Sequence, residues 1–166
     1  NFKDFNVEMV FKKGVLYWNN GELRDFEAPK IEEYLDKRAH DTFHVATLTP
    51  DDFRDTRQRG VLGMVPGEII TTDNGYADHV DLEKDILKIA VVERHKGTHH
   101  IGLGYIQGYG LRSGAVATSI SHDSHNIIVV GTNSADMAFA ANYIVEHHGG
   151  IVVVENGVVK LSLIHI

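Results

Sequence analysis

The 166 residues include no cysteine, which excludes a disulfide framework and any thiolate metal site. No apolar run approaches the roughly 18 residues of a membrane span, and no signal peptide is visible in these residues. Positive charge is also scarce: 16 Lys and Arg stand against 23 Asp and Glu, a net charge of -7 that repels a polyanion unless a local basic stripe offsets it. The nearest such stretch, Arg54-Asp55-Thr56-Arg57-Gln58-Arg59, is short and reads as a solvated edge. Neither a nucleic acid nor a membrane is therefore an expected partner, and the cytoplasm is the expected location. The hydrophobic share of 43% suits a folded chain with one good core or two small ones.

Residues 7 to 24 read as paired hairpins. Val7, Met9 and Phe11 alternate with polar neighbours, Lys12-Lys13-Gly14 turns the chain, Val15 to Trp18 pairs back, and Asn19-Asn20-Gly21 supplies a second turn. From Ala28-Pro29 onward the composition is charged and mixed, with a short helix expected over Ile31 to Lys37. Thr49-Pro50-Asp51-Asp52-Phe53 carries a brief helix start, with Thr49 as cap, Pro50 at the first position and acids behind it. Strands are expected over Val61 to Val65, Ile69 to Thr72, Ile86 to Glu93, Gly114 to Ser121 and Ile127 to Gly131. Between them, Gly102, Gly104, Gly108, Gly110 and Gly114 interrupt a Leu/Tyr/Ile pattern and allow close backbone approach or bulges. A phosphate loop is the alternative there, but no Gly-Lys-Ser/Thr follows. Met137, Ala141, Ile144 and Val145 fall at helical spacing over Ser134 to His148, which Gly149-Gly150 terminates, and Ile151 to Val154 with Val158 to Leu163 makes a last hairpin. The expected class is α/β (α+β): a mixed β-sheet with packed helices, preceded by a small β-hairpin segment. The expected division is residues 1–27 for the hairpin segment, 28–58 for a linker with short helices, and 59–166 for the main domain.

The densest chemistry lies in Ser121-His122-Asp123-Ser124-His125-Asn126, directly before the apolar run Ile127 to Val130. Two imidazoles flank a carboxylate, with hydroxyls and an amide beside them, so the run can donate, accept and buffer charge near neutral pH. An ordinary surface loop that satisfies its own backbone is the plain alternative. His122 and His125 also have the spacing of a two-ligand metal contact on a helix, but a strand-to-strand loop gives that spacing little meaning, and no metal site is assigned to this chain. Glu93-Arg94-His95, at the end of a long strand, is a second patch, whose plain alternative is a surface ion pair.

Gly114-Ala115-Val116-Ala117-Thr118-Ser119-Ile120, the polar cluster and Ile127 to Thr132 together resemble the C-terminal domain of bacterial adenine deaminases, members of the amidohydrolase superfamily. Asp85 to His95, Gly102 to Gly114 and Gly149-Gly150-Ile151-Val152-Val153-Val154 extend the likeness, and Phe5 to Tyr17 resembles the hairpin that returns from the barrel of such enzymes into their small β-domain. Enzymes of that superfamily hold their metals with a His-x-His pair near the start of a (β/α)8 barrel. No His-x-His occurs here, and a barrel needs about 250 residues, so a C-terminal fragment is expected. The family also continues past the strand near Val158 to Leu163 into a longer tail.

The resemblance implies hydrolytic deamination of adenine to hypoxanthine and ammonia in purine salvage, with two divalent metals, manganese or iron, in the parent barrel and none in this chain. It implies that His122, Asp123 and His125 act on the substrate from the side opposite the metals. Ser121, Ser124, Asn126, Glu93 and Arg94 would bind or orient. A homo-oligomer is expected. The alternative is a noncatalytic docking or oligomerisation module in which the same sheet mediates assembly.

Overall fold

The computed structural model describes residues 3–24 and 29–163, and it divides into two compact units, residues 1–36 and 37–166. The expected junction at residues 27 and 28 lies outside the described residues.

The first unit is a three-stranded antiparallel sheet of β1 (Met9–Lys12), β2 (Val15–Asn19) and β3 (Glu22–Leu23). Lys13 and Gly14 between the first two strands, and Asn20 and Gly21 between the last two, all have positive φ. That pattern is the two-residue turn whose twist matches the strands. None of the unit's described residues is buried, so backbone pairing and the 3.0 Å bond from Trp18 Nε1 to the Val7 carbonyl order it, not a core. The short helix α1 runs from Glu33 to His40, later than the expected Ile31 to Lys37. Glu33 and Asp36 in its first turn and Lys37, Arg38 and His40 in its last complement the helix dipole, a charge order that outweighs the apolar Ile31.

The second unit is an eight-stranded mixed sheet. Its strands are β4 (Arg59–Met64), β5 (Thr71–Ala77), β6 (Ile86–Val92), β7 (Ile101–Gln107), β8 (Ala115–Thr118), β9 (Ile127–Gly131), β10 (Ile151–Glu155) and β11 (Val158–Leu163). Their order is β11-β10-β8-β9-β6-β7-β4-β5, and β4 with β7 is a parallel pair while the others are antiparallel. Helix α2 (Ser134–Glu146) packs across β8, β9 and β10 and against a 3-10 turn at Pro50–Phe53. The core between them joins Ala90, Val92, Ala117, Ile127, Val129, Val152 and Val154 to Met137, Ala141, Ile144 and Phe53. Small residues let the layers close. A Cβ on Gly131 would lie 2.4 Å from Met137 Cγ, and one on Gly114 would lie 2.0 Å from the Val154 carbonyl oxygen.

Three expectations of this unit are corrected. The strand placed at Ile69 to Thr72 begins instead at Thr71 and continues to Ala77; Ile69 and Ile70 precede it and are exposed, since β5 is an edge strand whose polar residues pair with β4. The glycine-rich stretch contains a full strand, β7, because Gly102 and Gly104 pair across β6 opposite Val91 and Ile89. It is a sheet element and not a phosphate loop. Helix α2 ends at Glu146 with His147 as its cap, two residues short of the expected His148, which has positive φ ahead of Gly149.

The start of α2 is tied to the far hairpin by one carboxylate. Asn133 Oδ1 accepts from the Asp136 amide at 2.8 Å, and Asn133 Nδ2 donates back to Asp136 Oδ2 at 2.9 Å. The same carboxylate accepts from the amides of Gly157 at 2.8 Å and Asn156 at 3.2 Å in the β10–β11 turn. Burial raises the Asp136 pKa, but the bonds from Asn133, Gly157 and Asn156 outweigh it and hold the group below the ordinary carboxylate range. The depressed pKa means this stabilisation is present above the unfolded value and is lost as pH falls. Asp136→Ala is expected to cost about 2–3 kcal/mol at neutral pH, the scale of hydrogen bonds to a buried charged group. Urea unfolding at pH 7 and pH 3 checks both the size and the narrowing of the difference in acid.

Candidate functional site

Strands β6, β8 and β9 finish or start at one end of the sheet. Val92 pairs with Ile127 and Thr118 with Ile128, so the turn after β6 and the loop between β8 and β9 rise side by side. The end of α2 returns to the same place, where Ser119 and Gly150 exchange bonds: the Ser119 amide to the Gly150 carbonyl at 3.0 Å, and the Gly150 amide to Ser119 Oγ at 2.9 Å.

The Ser121 to Asn126 run is a tight turn. The His125 amide donates to the Ser121 carbonyl at 2.8 Å, the Ser124 amide to the His122 carbonyl at 3.0 Å, and the Ser121 and Ser124 hydroxyls lie 3.1 Å apart. Asp123 and His125 adopt φ of 67° and 50°. Such left-handed backbone costs a non-glycine residue of order 1 kcal/mol or more, so surrounding contacts must impose it.

Those contacts come from the neighbouring turn. Arg94 Nε donates to the His125 carbonyl, and the same guanidinium donates to the Thr42 carbonyl at 2.7 Å and to Thr42 Oγ1 at 2.9 Å. Its plane lies over the Phe43 ring, 4.1 Å from the centroid. His95 Nε2 lies 2.9 Å from the Ser124 carbonyl oxygen, where a ring N–H donates. Burial of the Arg94 head pulls its pKa down. Two consecutive residues of one turn therefore hold two consecutive carbonyls of the other.

Glu93 braces the bracing turn. Its carboxylate accepts from the His95 amide at 2.6 Å, the Lys96 amide at 2.9 Å and the Thr98 hydroxyl at 2.9 Å. Desolvation pushes its pKa up, but the Thr98, His95 and Lys96 bonds prevail and bring it from the ordinary 4.5 to about 2. Glu93 and Arg94 do not form the surface ion pair that their adjacency suggests: each spends its polar atoms on the protein backbone and on threonine hydroxyls.

The structure thus brings all eight sequence-identified residues to one end of the sheet, in three different situations. His122 and Asp123 point into solvent, with side chains 97% and 92% exposed and Nδ1 3.1 Å from Oδ1. His125 is exposed as well, while Ser121 is buried at 6% and serves the turn. Asn126 is half-buried, and its Oδ1 has no hydrogen-bond partner among the described residues. Glu93 and Arg94 lie beneath the turn and act on its backbone. Thr42 and Phe43, which anchor Arg94, carry no local sequence signal, because their role depends on a contact across 52 positions. The arrangement presents an imidazole–carboxylate pair and a second imidazole on a turn of fixed backbone. It can hydrogen-bond a polar heterocycle and move a proton.

Two outcomes check this geometry. Glu93→Gln should flatten the loss of stability between about pH 4.5 and 2 that the wild type shows as its depressed carboxylate is protonated, measured as thermal midpoint against pH. Arg94→Ala should speed amide exchange at Ser124 and His125 by about tenfold or more, the equivalent of one hydrogen bond. Arg94→Lys should not restore protection, because an ammonium lacks the planar fork that spans two carbonyls.

Comparison with known proteins gives a consistent picture. Residues 67–164 match the family described as the adenine deaminase C-terminal domain. A protein of Petrotoga mobilis named adenine deaminase is 39% identical over 173 residues, which cover 94% of this chain and 29% of the relative. A second, of Dehalococcoides mccartyi, is 34% identical over 98% of this chain and 30% of its own length. A third, of Bacillus velezensis, is 48% identical over 68% of this chain and 21% of its own. The chain spans less than a third of the length of these relatives.

Proposed function

Because the chain belongs to the adenine deaminase family, whose C-terminal domain it carries, we propose that it is the C-terminal portion of an adenine deaminase and supplies one wall of that enzyme's active site. The observation that carries the reading is the turn at Ser121 to Asn126. Its exposed His122, Asp123 and His125 stand on a backbone held out of its preferred conformation by Arg94 and His95.

The parent reaction is adenine plus water to hypoxanthine plus ammonia. A C6–O bond forms, the C6–N bond to the amino group breaks, and a proton must reach that departing nitrogen. In this proposal the His122–Asp123 pair acts as the proton carrier, with the carboxylate 3.1 Å from Nδ1 orienting the ring. His125 donates to or accepts from a purine ring nitrogen. Ser121, Ser124 and Asn126 orient the turn, and Glu93 and Arg94 hold its base.

The metals implied for the parent, manganese or iron, would activate the attacking water. Among the described residues, no three His, Cys, Asp or Glu come together in a group suited to an ion. The proposal places the metals in the barrel outside this chain, with residues 1–27 as a hairpin segment, 28–58 as a linker and 59–166 as the C-terminal domain. It also places the enzyme in purine salvage in the cytoplasm as a homo-oligomer. None of the described helices is long and apolar enough to cross a membrane.

Purified alone, the chain should release no ammonia from adenine above the metal-only blank when manganese or iron is added. In the complete enzyme, His122→Ala and His125→Ala should each lower kcat/KM by about 10²-fold, the scale of lost acid–base help, with the thermal midpoint nearly unchanged. Unchanged turnover in both variants would end the active-site reading, and a lowered midpoint with turnover preserved would assign the turn a structural role in a noncatalytic docking module.

A further inference from the structure

Strands with one wet face alternate apolar and polar residues, whereas strands covered on both faces read as near-continuous apolar runs. The central strands of the second unit are of the latter kind: in β6 Ile89 and Val91 alternate with Ala90 and Val92, and in β9 Ile128 and Val130 alternate with Ile127 and Val129. Helix α2 and the 3-10 turn cover only the side of Ala90, Val92, Ile127 and Val129. On the opposite side, Val80, Tyr109 and Leu111 close over Leu87, Ile106 and Val130. The rest opens into a mainly apolar cavity of about 350 Å³, floored by Ile89, Val116, Ile128 and Val130 and walled by Met64 and Ile70, with Glu68 the one charged residue of its lining. Met64 and Ile70 are 45% and 62% exposed at its rim, and Leu161 on β11 is 48% exposed beyond it.

We propose that this second sheet face is the docking surface for the remaining part of the deaminase polypeptide, an apolar side chain of which fills the cavity. The proposal rests on the reading of this chain as the C-terminal portion of such an enzyme. Two observations favour that occupant over a second copy of the chain. The larger part of the Petrotoga mobilis relative lies outside the matched stretch, which is 29% of its length, so a large body is available within one polypeptide. The cavity also reaches the base of the candidate site. Thr118 and Ile128, which line it, are the paired strand residues on either side of the Ser121 to Asn126 turn. A body that faces His122 would rest on this floor, and apolar area depleted of charge is what the centre of such an interface requires.

Hydroxyl-radical footprinting of Met64, Ile70 and Leu161, on this chain alone and on the full-length protein, tests it. The expected result is oxidation at least about fivefold slower in the full-length protein, as for side chains in a desolvated interface core. Ile70→Glu and Leu161→Glu, both at exposed positions, should leave the thermal midpoint of the isolated chain unchanged and remove the protection of Met64 in the full-length protein. Equal oxidation in the two wild-type proteins would overturn the proposal even if a variant failed to fold. Protection that arises in the isolated chain as its concentration is raised would overturn it in favour of a second copy. An ammonia assay on the same samples separates the two readings: protection without adenine turnover refutes the substrate and leaves the docking face, and turnover without protection does the reverse.

Discussion

The close approach of α2 to the sheet is the constraint on which the rest of the second unit depends. It is possible because β8 and β9 offer alanine and glycine where α2 offers Met137 and Ala141, so helix and strands meet without a spacer. That contact fixes where α2 ends, and its end is bonded through Gly150 to Ser119, at the entry of the polar turn. Asp136 fixes the other end against the β10–β11 turn. The helix is thereby held at both termini, and the candidate site inherits its position from one of them.

Much of the second unit was legible from periodicity and turn chemistry. The largely apolar run from Ile86 to Val92, the Asn133 cap before α2 and the glycines after it each declare an element locally, because each answers a local steric or hydrogen-bonding need. Strand β7 was not legible as a strand. Glycines lower β-propensity, and what keeps Gly102 and Gly104 extended is pairing with β6, while β4 pairs with Tyr105 to Gln107 on the other side, and no local window contains either strand. Strand β5 was displaced for a related reason: Ile69 and Ile70 look like a strand start but belong to the rim of an open cavity.

The site was legible in composition and not in construction. The density of His, Asp, Ser and Asn between apolar strands marks residues 121 to 126, but nothing there tells which side chains face outward. The geometry separates them, with His122 and Asp123 in solvent and Ser121 folded under. Arg94 illustrates the limit most clearly. Next to Glu93 it reads as half of an ion pair, whereas its guanidinium joins the Thr42 carbonyl to that of His125, partners 52 and 31 positions away. A link of that kind is set by the order of strands, and strand order is the least local property of a sheet.

The strand order has a kinetic meaning as well. Read across the sheet, β11-β10, β8-β9, β6-β7 and β4-β5 are four consecutive antiparallel pairs laid in a row. Each pair joins neighbours in sequence and closes a modest loop, so its entropy cost is small. The expensive contacts are the three seams between pairs, of which the parallel seam of β4 with β7 spans Val61 to Tyr105. A chain that emerges N-terminus first can therefore form its strand pairs as they appear. Its tertiary arrangement rests on the seams, and the polar turn, braced by Arg94 and His95 across the seam between β6 and β9, owes its shape to contacts between pairs and not within one.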